Sequence, residues 1–281
     1  NEAIMSYKRI LTIQDISCVG QCSLTVALPI LSASGVETCI LPSAVLSTHT
    51  GGFKGYTFRD LTEDIPGIAD HWESEGIRFD AVYSGYLGSA RQIEYVKDIT
   101  NRLSADNALS IVDPAMADNG KLYVGFDGDF VQAMKSLAFS ADIILPNITE
   151  ACLLTGTEYR ESYDRAYIDG LLTSLESAGA STVILTGVSF KPDTTGVLVD
   201  EKGERSYYEH RKIAKGCHGT GDIYASAFVG AMLGGRPLFE AAKIAADFTV
   251  LCIEKTRGDQ SHWYGVKFEQ ALPDYIRMLG L

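Results

Sequence analysis

Segments of strand length and of helix length alternate along almost the whole chain, and this alternation restricts the fold more than any single motif does. Residues 9–13 (Arg-Ile-Leu-Thr-Ile) are largely apolar toward both faces, as a strand buried inside a parallel sheet must be. The pattern then predicts a helix over 22–31, a break at Gly35 and a strand over 36–41. Further strands are predicted at 80–84, 109–112, 142–145, 182–185, 196–199 and 205–208. Helices are predicted at about 60–75, 89–103, 129–138, 149–154, 163–178, 222–233 and 238–254. Parallel strands need crossover connections, and helices supply them; the expected fold is therefore α/β, with a mostly parallel central sheet and helices on both faces. The last two strands, split by Asp200-Glu-Lys-Gly203, read as an appended hairpin.

With 281 residues, 46% of them hydrophobic, the chain has core enough for one large domain or two smaller ones. It shows no linker, internal repeat or low-complexity stretch, so one domain over 1–281 is expected. No apolar run reaches the length of a membrane span and no segment resembles a signal peptide, so a cytoplasmic protein is expected. Cys18, Cys22, Cys39, Cys152, Cys217 and Cys252 are scattered without a C-x-x-C pair and read as reduced thiols. A formal net charge of −12, with no Lys/Arg cluster to override it, argues against nucleic acid as a partner. The same charge means that a polyanionic ligand must be met by backbone N–H groups, a few cations and bound metal.

The turn Gly219-Thr220-Gly221-Asp222 opens straight into the apolar run 223–233. The first N–H groups of a helix lack intrahelical acceptors and lie at the positive end of its dipole, so such a turn is an anion site. A carboxylate at the same spot can take a proton from a hydroxyl attacking a phosphorus held there. Asp is also a good residue for the start of a helix, and the four residues could be only a capped turn.

In doubly wound sheets ligands bind at the C-terminal ends of the strands. The predicted strands are followed there by Gln14-Asp15, by 47–52 (Ser-Thr-His-Thr-Gly-Gly), by Gly85-Tyr86, by Asp113-Pro114, by Pro146-Asn147 with Glu150, and by Thr186-Gly187. Asn147 and Glu150 share a face at a helix start, and the carboxylates of Asp113 and Glu150 suit Mg²⁺, which prefers oxygen ligands, often through water; the bland reading is an Asp-Pro turn and an Asn-x-x-Glu capping pair. P-loop, G-x-G-x-x-G, G-x-S-x-G and H-E-x-x-H patterns are absent, which argues against P-loop kinases, nicotinamide enzymes, serine hydrolases and zincins.

Ile13-Gln14, 47–51 (Ser-Thr-His-Thr-Gly), Gly85-Tyr86, Asp113-Pro114, 145–150 (Leu-Pro-Asn-Ile-Thr-Glu), 153–156 (Leu-Leu-Thr-Gly) and 219–222 (Gly-Thr-Gly-Asp) together resemble the ribokinase superfamily, and within it the pyridoxal (vitamin B6) kinase family. The resemblance covers almost the whole chain. It implies a ribokinase-like three-layer α/β/α fold and ATP-dependent phosphorylation of the 5′-hydroxyl of pyridoxal, pyridoxamine or pyridoxine. It also implies Mg²⁺, leaves open a monovalent cation such as K⁺, and implies a homodimer. Asp222 would be the general base, with Gly219, Thr220 and Gly221 as the anion hole. Asn147, Glu150, Thr186 and Gly187 would bind ATP, and Asp113 and Glu150 would organise the metal. Asp15, His49, Thr50 and Tyr86 would hold the pyridine ring, Tyr86 by stacking. The family usually has Ser where this chain has Asp15, and Val-Met-Gly where it has Ala115-Met116-Ala117. A hydroxymethylpyrimidine or sugar kinase on the same fold, and a nucleotide-binding protein without activity, are the rival readings.

Overall fold

A computed structural model describes residues 7–20, 22–213 and 218–281. In chain order its elements are β1 (Arg9–Ser17), α1 (Leu24–Ala33), β2 (Glu37–Leu46), β3 (Phe58–Asp60), α2 (Ile65–Ser74), β4 (Phe79–Ser84), α3 (Ala90–Leu103) and β5 (Ser104–Val112). They continue as β6 (Ala117–Asp118), β7 (Lys121–Leu122), α4 (Gly128–Ala138), β8 (Ile143–Ile144), α5 (Ile148–Thr155), α6 (Arg165–Ser177) and β9 (Thr182–Val188). The chain ends in β10 (Thr194–Glu201), β11 (Glu204–Arg211), α7 (Thr220–Leu233), α8 (Leu238–Thr256) and α9 (Leu272–Leu279).

Among the described residues nine strands form one sheet in the order β11-β10-β9-β8-β5-β4-β1-β2-β3. The run from β2 to β9 is parallel, while β10–β11 at one edge and β3 at the other are antiparallel. Strand alternation sends Leu11 and Ile13 of β1 to one face and Ile10 to the other, and each face carries its own buried core. One core packs α2 to α6, the other α1 and α7 to α9. The result is the three-layer α/β/α arrangement expected. No helix among the described residues is long and apolar enough to cross a membrane.

β1 pairs with β2 on one side and with β4 on the other, so strand order reverses there. Such a switch point opens a crevice at the strand ends. β1 runs past Ile13 to Ser17, so Gln14 and Asp15 belong to the strand; its register with β2 shifts between Gln14 and Ile16. That irregularity beside Asp15 is the kind of local distortion that re-aims a side chain. Gly85 fits beside it because a Cβ there would lie 2.6 Å from the Gln14 Oε1.

Element boundaries differ from expectation where short polar stretches pair. The helix expected from residue 60 starts at Ile65, with Pro66 in its first turn, because residues 58–60 pair with the end of β2 as a short edge strand. β6, β7 and α9 are too short to carry a periodic signal. The hairpin of β10 and β11 is present, in register from Thr194–Arg211 to Glu201–Glu204.

Candidate active site

α7 is buried on every side from Ile223 to Ala231, which fixes its axis and therefore the place of its N-terminus. Gly230 allows the close fit, since a Cβ there would meet the Ser34 hydroxyl at 2.1 Å. Gly219 caps the helix in the left-handed region at φ 78°, which glycine adopts without strain. The first intrahelical bond runs from the Ile223 N–H to the Gly219 carbonyl, so the N–H groups of Gly221 and Asp222 precede the helical ladder. Among the described residues nothing lies within 4 Å of where a Cβ on Gly221 would be.

Asp222, half-buried in the first turn of α7, accepts the Ser23 N–H on Oδ2 at 3.0 Å. Burial pushes its carboxyl up to about 6, the Ser23 N–H opposes the shift, and the negative charge of Asp15 adds to it. Among the described residues no donor reaches Oδ1. Ser23 holds a strained backbone for a residue with a side chain, at φ 55° and ψ −130°. It stands just ahead of α1, where its N–H is turned onto the carboxylate 199 positions away.

Asp15 is 5% exposed and accepts the Ser17 hydroxyl at 3.1 Å. Burial raises its pKa against the opposing hydroxyls of Ser23 and Ser17, and its charge acts in turn on Asp222, Cys22 and Tyr86. His49 stands close by, but both ring nitrogens are engaged. Nδ1 accepts the Gly51 N–H at 3.0 Å, so the proton sits on Nε2 and is donated to the Tyr264 carbonyl at 2.6 Å. Burial lowers its pKa, so the ring is neutral and fixes the 47–52 loop. Its face closes over Gly20, at φ 103°, where a Cβ would lie 2.2 Å from the ring. Thr50 is exposed; the hydroxyl of this stretch that is buried without a partner is that of Thr48. Tyr86 is half-buried and tilted at 31° against Phe126, with ring centroids 5.6 Å apart.

Asn147 caps α5 and forms a reciprocal capping box with Glu150. Asn147 Oδ1 accepts the Glu150 N–H at 3.0 Å, and Glu150 Oε2 accepts the Asn147 N–H at 2.9 Å. Glu150 Oε1 accepts the Met116 N–H at 3.0 Å, which ties the loop after Asp113 to this helix. Burial raises the Glu150 carboxyl to about 7, against the N–H donors of Asn147, Met116 and Ala117. Asp113 accepts the Ala115 N–H on Oδ1 at 3.1 Å. Burial, then the charges of Glu150 and Asp222, push it well above the usual carboxylate range. These residues form a turn and a cap, and they bring the carboxylates of Asp113 and Glu150 close enough to act on one another.

Beyond Asn147 opens a polar cleft of about 440 Å³. Thr186 and Gly187, now seen within β9, line it together with Tyr163, Phe190, Lys191 and Lys212. The strand ends therefore bring Asp15, Asp113, Glu150 and Asp222 into one electrostatically coupled group. Asn147, Thr186 and Gly187 stand on one flank, Tyr86 and His49 on the other. Sequence reasoning missed Ser23 and the two lysines, none of which lies in a motif, and within the 47–51 stretch it singled out His49 and Thr50 and passed over Thr48. Cys217 lies outside the described residues.

The donor set fits a hard divalent ion bound partly through phosphate oxygens. Asp113 keeps Oδ2 without a donor among the described residues, and the carboxylates around it raise one another's affinity for positive charge. No group of three or more His, Cys, Asp or Glu among the described residues could hold a metal alone.

A family model described as phosphomethylpyrimidine kinase matches residues 35–265. A Bacteroides thetaiotaomicron structure, provisionally named as a phosphomethylpyrimidine kinase and solved with pyridoxal, is 35% identical. The match covers 96% of each chain with a TM-score of 0.90. The pyridoxal kinase of Lactobacillus plantarum is 32% identical, covering 97% of this chain and 98% of that one with a TM-score of 0.89. Among curated proteins, the pyridoxal kinase of Actinobacillus succinogenes is 29% identical over 229 residues, 77% of this chain and 78% of its own length.

Proposed function

The chain belongs to the phosphomethylpyrimidine kinase family, beside the pyridoxal kinases of the ribokinase superfamily, and we propose that it transfers the γ-phosphoryl group of ATP to the 5′-hydroxyl of a B6 vitamer with Asp222 as base. The observation that carries this reading is one carboxylate with one oxygen pinned and one open, set in the donor turn of α7. The pinned oxygen fixes the carboxylate's direction. The open oxygen takes the hydroxyl proton as the new O–P bond forms, the bond to the bridging oxygen breaks and ADP leaves. The N–H groups of the Gly219–Asp222 turn face the charge that grows on the transferring oxygens. Asn147, Thr186 and Gly187 line the nucleotide side of the cleft, and Lys191 and Lys212 bring cations to a chain whose net charge is −12. Asp113, and Glu150 through water, would hold Mg²⁺ on the phosphates; when bound, the ion supplies charge neutralisation. A homodimer is part of the same reading and is checked by the mass of the protein in solution.

The test is purified protein with ATP and Mg²⁺ against pyridoxal, pyridoxamine, pyridoxine, hydroxymethylpyrimidine and ribose. Turnover confined to the vitamers supports the reading. A hydroxymethylpyrimidine kinase is the second reading, because the matched family carries that chemistry in its description; preference for the pyrimidine would establish it. Turnover of none of the five would leave a binding protein.

The ionisation of the base sets a pH dependence. With its carboxyl near 6, Asp222 is a base only above that pH, so kcat/KM for the vitamer should fall on the acid side with a midpoint close to 6. A profile flat down to pH 4.5 would remove Asp222 from the proton transfer.

Glu150→Gln should raise the Mg²⁺ concentration for half-maximal rate, since the charge beside Asp113 is lost. It should also lower Tm, because an amide nitrogen must now face one of the N–H groups that the carboxylate accepts. A fall in Tm with an unchanged Mg²⁺ dependence would leave Glu150 as a cap alone.

A further inference from the structure

Asp15 is a buried anion whose partners are hydroxyls. It is 5% exposed, accepts the Ser17 hydroxyl, and is further stabilised by the Ser23 hydroxyl. Among the described residues it enters no ion pair. The neighbour that could carry positive charge, His49, is locked neutral by its bonds to the Gly51 N–H and the Tyr264 carbonyl. The other charged group acting there, Asp222, is of like sign. A carboxylate buried under these conditions costs folding free energy unless a cation comes to it. The pairing of β1 with β2 is irregular at this point, and the charge of Asp15 acts on Tyr86, which follows the end of β4. Ser23 links Asp15 to the base: one residue gives its N–H to Asp222 and its hydroxyl to the support of Asp15. The two carboxylates therefore share one serine as a support, and the charge of Asp15 reaches Asp222. A ring whose hydroxymethyl group meets Asp222 therefore lies within the field of Asp15.

We propose that Asp15 is the counter-charge for a cationic nitrogen of the substrate, and that it sets which nitrogen-bearing ring the enzyme prefers. The inference rests on the reading of the crevice as the vitamer site. Two nitrogens have the required chemistry: the ring nitrogen, protonated as pyridinium, and the 4-aminomethyl group of pyridoxamine. Ser17 and Ser23 act as positioning residues that hold the carboxylate in place before the substrate arrives.

Asp15→Asn is the test, because its amide oxygen can still accept from Ser17 while the charge is gone. Steady-state kcat/KM is measured for pyridoxamine, pyridoxal, pyridoxine and a benzene analogue of pyridoxine that lacks the ring nitrogen, with Tm and the KM for ATP as controls. A charge-assisted bond in a dry site makes the expected loss about tenfold or more, carried mainly by KM of the vitamer. Loss confined to pyridoxamine assigns the 4-aminomethyl group. Equal loss for the three vitamers, with the benzene analogue unaffected, assigns the ring nitrogen. If all four compounds keep their kcat/KM, or all four fall alike, the proposal is overturned. If wild-type protein turns over none of the vitamers, it is the reading of the site that fails instead.

Discussion

Asp222→Asn is expected to lower kcat by about 10²–10⁴-fold, the usual loss when a general base is removed, while the affinity for ATP stays close to that of the wild type. The expectation follows from geometry. An Asn at 222 can still accept the Ser23 N–H on its amide oxygen, so the entry to α1 is retained, and the α7 turn keeps its backbone donors. What is lost is the carboxylate oxygen that would hold the proton in flight. Stability should move the other way. Burial raises the folded pKa of Asp222 above its ordinary value, so the fold favours the protonated carboxyl. The resulting stability is present below the unfolded pKa and is lost as pH rises through about 6. At pH 8 the variant, neutral at all pH, should therefore melt above the wild type, and the difference should shrink toward pH 4. Single-turnover rates, nucleotide binding and melting curves at two pH values test the whole argument. A variant with near wild-type kcat would make Asp222 a cap; a variant that melts lower at pH 8 would mean the carboxylate is a structural anchor.

The fold was legible because its cores are written in period. Leu11 and Ile13 alternate with Ile10, and the two sets fill different layers. The site was legible in part, since glycine turns and carboxylates at strand ends are local signals. Gly219 through Asp222 are contiguous in sequence and remain contiguous in the site. Ser23 was not legible, because its role depends on a backbone twist that brings its N–H to a residue 199 positions away. His49 shows the opposite limit. The resemblance implied that it holds the pyridine ring, yet what an imidazole can offer a ligand depends on what its two nitrogens already hold, and here the Gly51 N–H and the Tyr264 carbonyl hold both. Glu150 illustrates a third case. The spacing Asn-x-x-Glu fits a cap and a ligand pair equally well. The structure shows the cap complete, with the charge of Glu150 also acting on Asp113.

Gly221→Val should damage phosphoryl transfer far more than folding. At this position a new Cβ meets no atom of the described residues within 4 Å, and the backbone is not in the left-handed region that would strain a side chain. Valine is also a better helix former than glycine by a few tenths of a kcal/mol, so Tm should hold or rise slightly. The open space is the approach to the α7 turn, where a phosphoryl oxygen must come within hydrogen-bond distance of the backbone. Two added methyl groups would hold it off. Losing well-aligned donors to a developing oxyanion costs about 10²–10³-fold in kcat, and a loss of that order is expected. Gly219→Val is the contrasting control, because Gly219 sits at φ 78° and a β-branched residue there is strained whatever the ligand does. It should lose stability and activity together. Measurement of kcat, ATP affinity and Tm for both variants separates the two roles. If Gly221→Val kept full activity, the donor turn of α7 would not be where the phosphoryl group is held; if it lost stability and activity in the proportion seen for Gly219→Val, the turn would be structural only.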